Sequence, residues 1–486
     1  MDTNKQSYYV TIGLEVHVEL KTNTKAFCSC KNISNLSIEE DIPNTHICPV
    51  CSAQPGTLPF LNKSAVDHMV RIGLAIDGNI ADFTEFDRKN YFYPDIPKAY
   101  QISQYKYPIV SGGELAGVKI TRIHLEEDTA TSTHDQGNFS LINFNRAGVP
   151  LMELVTEPVI HDTETIVTFA KELQLLLRYL GASDANMERG QMRVEVNVSI
   201  SPDKDKMASK YVEVKNINSF QAAKRAAEYE IKRMTALWDA GKQDEIIKET
   251  RGWDENKQAT VSQRSKENAE DYRYFPEPDL PKLYLHSIYD LDKIKSNLPL
   301  LPKQKREFFA KEFGIKESDI EVFVQDIVLG DYFESILASS NFNKSNDTYL
   351  KSIQLSANYI TSDLAGIMKS DVDALLPPPE DFAELIQMII DGDLSSRSAK
   401  DILAVMVKNP TSPRKYAEEN NLIIKNDPEA LKQLAQKLID ENPEVVASYK
   451  SGKEPAIMSL VGKIMKETAG AVNPQMAKEV LLELLK

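Results

Sequence analysis

The stretch Val10-Thr11-Ile12-Gly13-Leu14-Glu15-Val16-His17-Val18-Glu19-Leu20 alternates between apolar and polar side chains. Its even-numbered positions are all apolar, whereas Glu15, His17 and Glu19 stand at odd-numbered positions. Successive strand side chains point to opposite faces, so the pattern predicts a strand with one packed face and one face that carries carboxylates around an imidazole. Such a face is either the solvated side of an edge strand or a site where a cation offsets the repulsion between like charges.

Two later carboxylates favour a cation site. Glu127 is in phase with the apolar Ile123 and Leu125, and Glu153 interrupts the apolar strand 150–155. A buried carboxylate is costly unless a cation or strong hydrogen-bond donors lie nearby. If these strands converge on the first one, they form an oxygen-rich group of the kind that binds Mg²⁺ rather than zinc. The four expected ligands are Glu15, His17, Glu127 and Glu153.

The composition is that of a soluble globular protein. With 486 residues the chain is expected to hold two or three domains. Its net charge of −15 argues against a generally basic nucleic-acid binder, so any polyanion must be met by a local patch. The first residues do not resemble a signal peptide, and no apolar run approaches about 18 residues. We therefore expect a cytoplasmic protein without a membrane partner.

The four cysteines form two closely spaced pairs, Cys28 with Cys30 and Cys48 with Cys51. Paired short spacings in a chain without export signals are typical of a tetrahedral zinc site with four thiolate ligands. A pair of disulfides is the alternative, which a reducing compartment disfavours. Because all four positions would be filled by cysteine, the zinc is expected to be structural.

The fold class expected is α+β, with a large and mainly antiparallel sheet. Residues 1–295 carry many short strands that crossover helices do not separate regularly, which argues against a doubly wound parallel sheet. Apolar periodicity with capping residues predicts helices over 63–77, 163–180 and 220–240. Proline-rich breaks then set off a helical domain, 296–408, and a small helical tail domain, 409–486.

The stretch Phe86–Gln104 combines cations and tyrosines between prolines. A rigid loop of this kind can place cations on phosphate oxygens and rings against a base or ribose. Its alternative is a surface loop with solvated lysines. Together with the carboxylates, the loop indicates phosphoryl transfer, although the chain has neither a P-loop nor a G-x-G-x-x-G motif after a strand.

Two further segments are candidates for the wall of the site. The segment 213–220 leads from a strand into a helix capped at Ser219, and a helix N-terminus can hold an anion. Arg251 and Arg273 each stand beside aromatic residues and either bind phosphate or form structural salt bridges.

Five motifs carry a resemblance to a known family. The chain resembles, from end to end, the B subunits of aspartyl/glutamyl-tRNA(Asn/Gln) amidotransferases. Its matching motifs, in order, are 12–20, 87–104, 125–128, 215–220 and 271–279. The resemblance implies a cradle-shaped, glutamine-synthetase-like catalytic domain followed by a helical domain and a tail domain that grips tRNA.

The same resemblance implies a two-step reaction on misacylated tRNA(Gln) or tRNA(Asn). ATP and Mg²⁺ serve to phosphorylate the side-chain carboxylate of the esterified Glu or Asp. Ammonia then displaces the phosphate, after it has passed through a channel from the amidase partner. That amidase is the A subunit of a heterotrimer in which the small third partner is the C subunit.

The resemblance also implies roles for individual residues. It assigns Mg²⁺ to Glu15, His17, Glu127 and Glu153, and it assigns zinc to the four cysteines. Catalytic roles beside the metal ligands are expected for Lys89, Tyr91 and Lys98. Residues expected to bind the nucleotide are Arg88, Asn90, Lys215, Asn216, Asn218, Ser219, Arg251 and Arg273.

Three departures from the family pattern are visible in the sequence. Glu195 stands where a shorter Asp is usual, Gly252 stands where Arg is common, and the segment 451–455 is less basic than usual.

A different class of function also remains open, namely a zinc-stabilised RNA-binding scaffold whose carboxylates form only structural ion pairs. Phosphate release from ATP distinguishes the two.

Overall fold

The computed structural model describes residues 8–37, 40–134, 137–204, 210–265, 272–339, 348–424, 428–468, 472 and 474–485. Two compact units divide the chain, Met1–Pro302 and Lys303–Lys486. The domain boundaries expected after residues 295 and 408 stay predictions. Asp271, the first residue of the last family motif, lies outside the described residues.

The first unit contains the strands. They are β1 (Tyr9–Glu19), β2 (Asn79–Ile80), β3 (Phe83–Thr84), β4 (Asp87–Asn90), β5 (Tyr100–Ser103), β6 (Val110–Ser111), β7 (Glu114–Leu115), β8 (Val118–Glu127), β9 (Thr131–Thr133), β10 (Leu141–Asn143), β11 (Pro150–Thr156), β12 (Met192–Ser201), β13 (Val212–Lys215), β14 (Glu249–Asp254), β15 (Ala259–Ser265), β16 (Phe275–Pro276) and β17 (Leu283–Tyr284).

Ten strands form one large sheet in the order β15-β14-β13-β12-β1-β11-β8-β6-β2, with β7 paired to β8. Every described pairing is antiparallel except that of β13 with β14. The predicted mixed architecture with a large, mainly antiparallel sheet is therefore confirmed, whereas its likeness to glutamine synthetase stays a prediction. Strand β1 lies inside the sheet, between β11 and β12, and not at an edge.

Helices cover the apolar face of this sheet. The even-numbered residues of β1 from Ile12 to Val18, and Leu20 directly after the strand, are buried in one core with Phe169 and Ala223. These two residues belong to α2 (Thr163–Tyr179) and α3 (Phe220–Asp239), which follow α1 (Lys63–Ala75) along the chain. The capping residues are Asn62, Asp162 and Ser219. All three predicted helices are confirmed, because capping side chains and apolar periodicity act locally.

Helices dominate the rest of the described chain. They are α4 (Leu285–Ile288), α5 (Leu291–Ser296), α6 (Pro302–Phe313), α7 (Glu317–Gln325), α8 (Ile327–Ala338), α9 (Tyr349–Asn358), α10 (Ala365–Ser370), α11 (Pro379–Ile390), α12 (Ser396–Met406), α13 (Pro413–Glu419), α14 (Pro428–Glu441), α15 (Pro443–Lys450), α16 (Ile457–Glu467) and α17 (Pro474–Leu485). In the described part of the chain, no helix has the length and apolarity needed to cross a membrane.

Candidate active site

The face of the sheet opposite the helices carries a group of acidic and imidazole side chains around His17. The His17 Nε2 atom lies 3.6 Å from Glu15 Oε1, 3.5 Å from Glu153 Oε2 and 3.9 Å from Glu126 Oε1. His124 lies on the far side of the same carboxylates, with its Nε2 3.4 Å from Glu153 Oε2 and 3.6 Å from Glu126 Oε2. We call these five residues the acidic cluster.

Strand register explains why these side chains meet. Residue His17 of β1 is opposite Glu153 of β11, and Glu153 is opposite His124 of β8. Residues that oppose each other across a sheet share a face, so three neighbouring strands present their polar residues together. On the other side of β1, Glu15 is opposite Glu195 of β12, which extends the acidic face to a fourth strand.

The position of Glu127 corrects the prediction that it joins this group. Its Oε2 atom accepts a hydrogen bond of 2.6 Å from Lys98 Nζ, and its Oε1 atom accepts one of 2.9 Å from the backbone N–H of Ile102. The reason is the two-residue period of β8, which turns Glu127 to the side of Leu125 and turns Glu126 to the side of His124. The structure therefore brings together Glu15, His17 and Glu153, with Glu126 in the place expected for Glu127.

Burial and mutual repulsion shape the pKa values of the acidic cluster. Burial, followed by the charges of Glu153 and Glu195, raises the pKa of Glu15 to about 7. Burial alone would lower the pKa of His17, but its hydrogen bond with Glu153 and the surrounding carboxylates raise it to about 9. Burial likewise opposes ionisation of Glu153, yet the charges of His124 and His17 hold its pKa below the usual range.

The donor set fits a divalent cation. One ligand atom from each of Glu15, His17 and Glu153 lies within 4.8 Å of the other two, and the same holds for His124, Glu126 and Glu153. The pKa of Glu15 is raised first by burial and then by the charges of Glu153 and Glu195, and a hard cation with oxygen ligands would relieve both costs. These residues therefore suit Mg²⁺, with imidazole as the less usual ligand.

Lys89 connects the acidic cluster to a group of tyrosines. Burial opposes its charge, but Glu126, Tyr274 and Glu153 hold its pKa above the usual value. The Lys89 Nζ atom also lies 5.1 Å from the ring centroid of Tyr272 and 6.0 Å from that of Tyr91. Burial raises the pKa of Tyr91, so the ring stays a neutral phenol beside this ammonium. A cation held between acids and aromatic faces is a suitable partner for a phosphate group.

The other cations of the 86–104 stretch line a separate cavity of about 320 Å³. Arg88 forms a bidentate ion pair with Glu277 at 2.7 Å and stacks over Tyr100. Lys98, which pairs with Glu127, lines the same cavity. The structure therefore places Lys89 beside the acidic cluster but Arg88 and Lys98 at this cavity.

The loop that carries the cysteines forms another part of the cavity wall, which includes Cys28 and Cys51. The Cys51 Sγ atom lies 3.9 Å from Cys30 Sγ and 3.8 Å from Cys48 Sγ. Four thiolates at about 2.3 Å from one zinc ion are separated by about 3.8 Å, so these spacings fit a shared tetrahedral ion. All four cysteines are free thiols rather than disulfides, and the group could hold a metal such as zinc.

The four thiols are not equivalent. The hydrogen bond between Cys51 and Cys28 outweighs the effect of burial and lowers the pKa of Cys51 to about 4. The charge of Lys25 acts in the same direction. Burial, followed by the hydrogen bond with Cys48, raises the pKa of Cys30 to about 12. Of Cys30 and Cys51, Cys51 is therefore the thiol that more readily provides a thiolate for a metal ion.

The segment from β13 to α3 borders the acidic face. Lys215 Nζ lies 2.8 Å from Glu195 Oε2, and it is thereby linked to the strand next to Glu15. Asn216 is exposed and adopts a left-handed backbone with φ of 60°. Asn218 and Ser219 are also exposed, and the Ser219 side chain accepts a hydrogen bond from the backbone of α3. Their predicted contacts with a nucleotide stay predictions.

The remaining predicted residues lie in other surroundings. Arg251 forms ion pairs with Glu249 at 2.9 Å and with the buried Glu230 of α3 at 3.2 Å. These are structural salt bridges, one of the two roles that the sequence allowed for this arginine. The Asn90 side chain donates to the carbonyl oxygen of Arg273 at 2.9 Å, so the two positions are adjacent. The Arg273 side chain is exposed.

Sequence reasoning missed His124 and Glu126. Both residues stand in phase with Arg122, on the polar side of β8, and the period of the strand was a signal that could have identified them. Both are nonetheless buried, at 3% and 2% exposure. A buried histidine between two buried carboxylates is unusual for a structural core, so these residues belong to the candidate site.

Two family models match the chain. Residues 10–289 match the model described as the GatB/GatE catalytic domain, and residues 340–485 match the one described as the GatB domain. The acidic cluster, the tyrosine group and the four cysteines all lie within the first match.

Full-length relatives share one name, which describes each as the B subunit of an aspartyl/glutamyl-tRNA(Asn/Gln) amidotransferase. Those of Caldicellulosiruptor saccharolyticus and Persephonella marina are each 40% identical to this chain, and that of Thermotoga maritima is 39% identical. Each alignment covers 98% of this chain and 99% of the relative. The chain therefore belongs to the GatB/GatE family, as its motifs led us to expect, and its relatives are B subunits of tRNA-dependent amidotransferases.

Proposed function

We propose that this chain is the kinase and transamidase subunit of a tRNA-dependent amidotransferase. It would convert Glu-tRNA(Gln), Asp-tRNA(Asn) or both into the correctly amidated forms, with ATP as the phosphoryl donor. The observation that supports this most is the acidic cluster on the polar face of the sheet, with the ammonium of Lys89 beside it. Carboxylates for a divalent cation and a separate cation for phosphate are the two requirements of phosphoryl transfer.

The chemistry divides into two steps. The carboxylate oxygen of the esterified amino acid attacks the γ-phosphorus of ATP, and ADP leaves. Ammonia then attacks the acyl carbon, the C–O bond to phosphate breaks, and phosphate leaves with the electron pair while the nitrogen loses a proton to water or a base. Phosphorylation is needed because a free carboxylate has no adequate leaving group.

In this proposal the acidic cluster holds Mg²⁺. Glu15, His17, Glu126 and Glu153 would be its ligands, with His124 fixing the orientation of Glu126 and Glu153 from behind. When bound, Mg²⁺ neutralises the charge of the phosphate oxygens. Lys89 would hold the transferred phosphoryl group from the side of the tyrosines, where its position is fixed by Tyr91 and Tyr272.

Ammonia would come from the amidase, the A subunit, and a small C subunit would complete the heterotrimer. The cavity beside Glu127 and Lys98 is lined by charged side chains, by apolar residues and by the cysteine loop. The charged part of its wall would suit the passage of a small polar molecule toward the acidic cluster. Zinc bound by the four cysteines would hold that wall in place, and the helical tail would contact the tRNA.

The test uses the reconstituted heterotrimer with both misacylated tRNAs, labelled ATP and an ammonium salt. We expect phosphate release that requires aminoacyl-tRNA and matches the amide formed. Glu15→Gln should abolish product while tRNA affinity stays within about tenfold of the wild type, and the exposed Glu188→Gln should behave as the wild type. Product formation by Glu15→Gln would refute the metal assignment.

The alternative function, an RNA-binding scaffold, predicts that no phosphate is released. A zinc-stabilised RNA-binding scaffold would bind the tRNA but would leave ATP intact under every combination of substrates. If the wild-type heterotrimer releases no phosphate with either tRNA in the presence of ammonium, the scaffold is favoured and the enzymatic proposal fails.

A further inference from the structure

We propose that Lys25 completes the zinc centre: its buried ammonium group donates to Cys51, offsets part of the negative charge of the four thiolates and strengthens metal binding. This inference rests on the assignment of zinc to the four cysteines, which is itself part of the proposed function. It concerns a residue of this chain outside the acidic cluster, and it does not depend on the phosphoryl-transfer chemistry.

Lys25 is held against both cysteine pairs. Its Nζ atom lies 3.6 Å from Cys51 Sγ, a distance within the range of a hydrogen bond to sulfur. Its backbone N–H donates to the carbonyl oxygen of Cys30 at 2.9 Å. One residue therefore connects the arm that carries Cys28 and Cys30 with the arm that carries Cys48 and Cys51.

The side chain is completely buried, at 0% exposure. Besides Cys51 Sγ, its Nζ atom donates to the carbonyl oxygen of Phe144 at 3.3 Å. Among the described residues no carboxylate forms an ion pair with it. Burying an ammonium group without a counter-charge costs several kcal/mol, so a neutral cysteine group would leave Lys25 poorly compensated.

Charge balance explains how zinc and Lys25 support each other. Four thiolates around a divalent ion carry a net charge of about −2, which is unfavourable in a buried setting. The ammonium group of Lys25 reduces this charge to about −1 and hydrogen-bonds one of the sulfurs. Groups that donate to metal ligands from outside the coordination sphere commonly change metal affinity by about 10- to 100-fold.

Close packing around Lys25 fixes this arrangement. A Cβ atom at Gly148 would lie 3.6 Å from both Lys25 Cδ and Cys51 Cβ, so the chain at residue 148 packs against both side chains. The Cys51 Sγ atom also accepts from the backbone N–H of Cys48 at 3.2 Å. Two donors, the Lys25 ammonium group and the Cys48 N–H, are therefore directed at one sulfur.

The experiment compares full-length wild type with Lys25→Met, which keeps the length of the side chain and removes the charge. Zinc content is measured by elemental analysis, and zinc affinity by competition with a chromophoric chelator. We expect Lys25→Met to bind zinc about 10- to 100-fold more weakly. The matched control is Lys21→Met, because Lys21 is half-exposed and pairs with Asp184 away from the cysteines.

Melting temperatures with and without zinc separate this role from simple packing. The proposal expects the stabilisation gained on adding zinc to shrink in Lys25→Met. If both melting temperatures fall equally and zinc affinity is unchanged, Lys25 is only a packing residue and the proposal is overturned. If Lys25→Met does not fold, Lys25→Gln provides the same comparison with an uncharged donor. A wild-type chain that takes up no zinc would overturn the zinc assignment and this inference together.

Discussion

Two adjacent carboxylates in β8 provide a direct test of how the acidic cluster works. Glu126 lies among His17, His124 and the neighbouring Glu153, whereas Glu127 is turned away and pairs with Lys98. The perturbation is the replacement of each glutamate, one at a time, by glutamine. Both substitutions keep shape and remove one charge, and they differ by a single position in the chain.

The magnitude follows from the place of Glu126 in the proposed Mg²⁺ site, where its Oε1 atom lies 3.9 Å from His17 Nε2. Loss of a group that holds or orients the ligands of a metal ion commonly lowers metal affinity or activity by about 10- to 100-fold. Because Glu126 would be a ligand itself, we expect a rate about 100-fold lower, which corresponds to about 3 kcal/mol. Loss of a metal ligand should also raise the Mg²⁺ concentration needed for half the maximal rate by about tenfold or more.

The assay is phosphate release from ATP by the heterotrimer with misacylated tRNA and ammonium, measured across a series of Mg²⁺ concentrations. For Glu126→Gln we expect both the lower rate and the shifted Mg²⁺ dependence. For Glu127→Gln we expect a Mg²⁺ dependence within about twofold of the wild type, because its oxygen atoms face Lys98 and Ile102.

A reversed pattern would refute the geometric reasoning. If Glu127→Gln shifted the Mg²⁺ dependence and Glu126→Gln did not, the metal would lie on the other side of β8, as the sequence alone suggests. If neither substitution changed it, no cation that matters for the reaction would contact this strand.

Three further predictions concern stability. Phe169→Ala removes a fully buried ring from α2 and should lower the unfolding free energy measured in urea by about 3–5 kcal/mol; a loss below about 1 kcal/mol would mean that the core repacks. Gly113→Ala should cost about 1–3 kcal/mol, because φ is +98° and the new Cβ would lie 2.8 Å from the carbonyl oxygen of Ile76; an unchanged melting temperature would contradict this. Burial lowers the pKa of His68, so the folded state binds fewer protons than the unfolded state and stability falls as the pH drops below about 6.5. His68→Gln should therefore reduce the difference in melting temperature between about pH 7.5 and about pH 5.5, whereas the exposed His134→Gln should not.

Local features of the fold could be predicted from the sequence. The caps at Asp162 and Ser219 define the starts of α2 and α3, and alternation in β1 identifies its packed and polar faces. These signals act within a few residues and need no knowledge of the rest of the chain. Glu15 and His17 lie on the polar side of β1, as this alternation predicts.

Long-range features were beyond the sequence. The sequence does not show that β1 lies between β11 and β12, so the pairing of Glu15 with Glu195 could not be foreseen. The misplacement of Glu127 has another cause: a buried carboxylate needs a positive partner, but the sequence does not say whether that partner is a metal ion or a lysine. Glu127 alternates in step with Leu125, so its side chain lies on the apolar side of β8 and not on the polar side. Lys98, which compensates Glu127, is 29 residues distant in the chain.

The central position of β1 has a consequence for biosynthesis. Strand β1 leaves the ribosome well before its two partners, which begin only at Pro150 and Met192. At about 5–20 residues per second, the nascent strand waits on the order of ten seconds with both backbone edges and its apolar side unpaired. We expect a chaperone to protect such a segment until its partners are made. A chain released before β12 would be prone to aggregation and would lack a working acidic cluster.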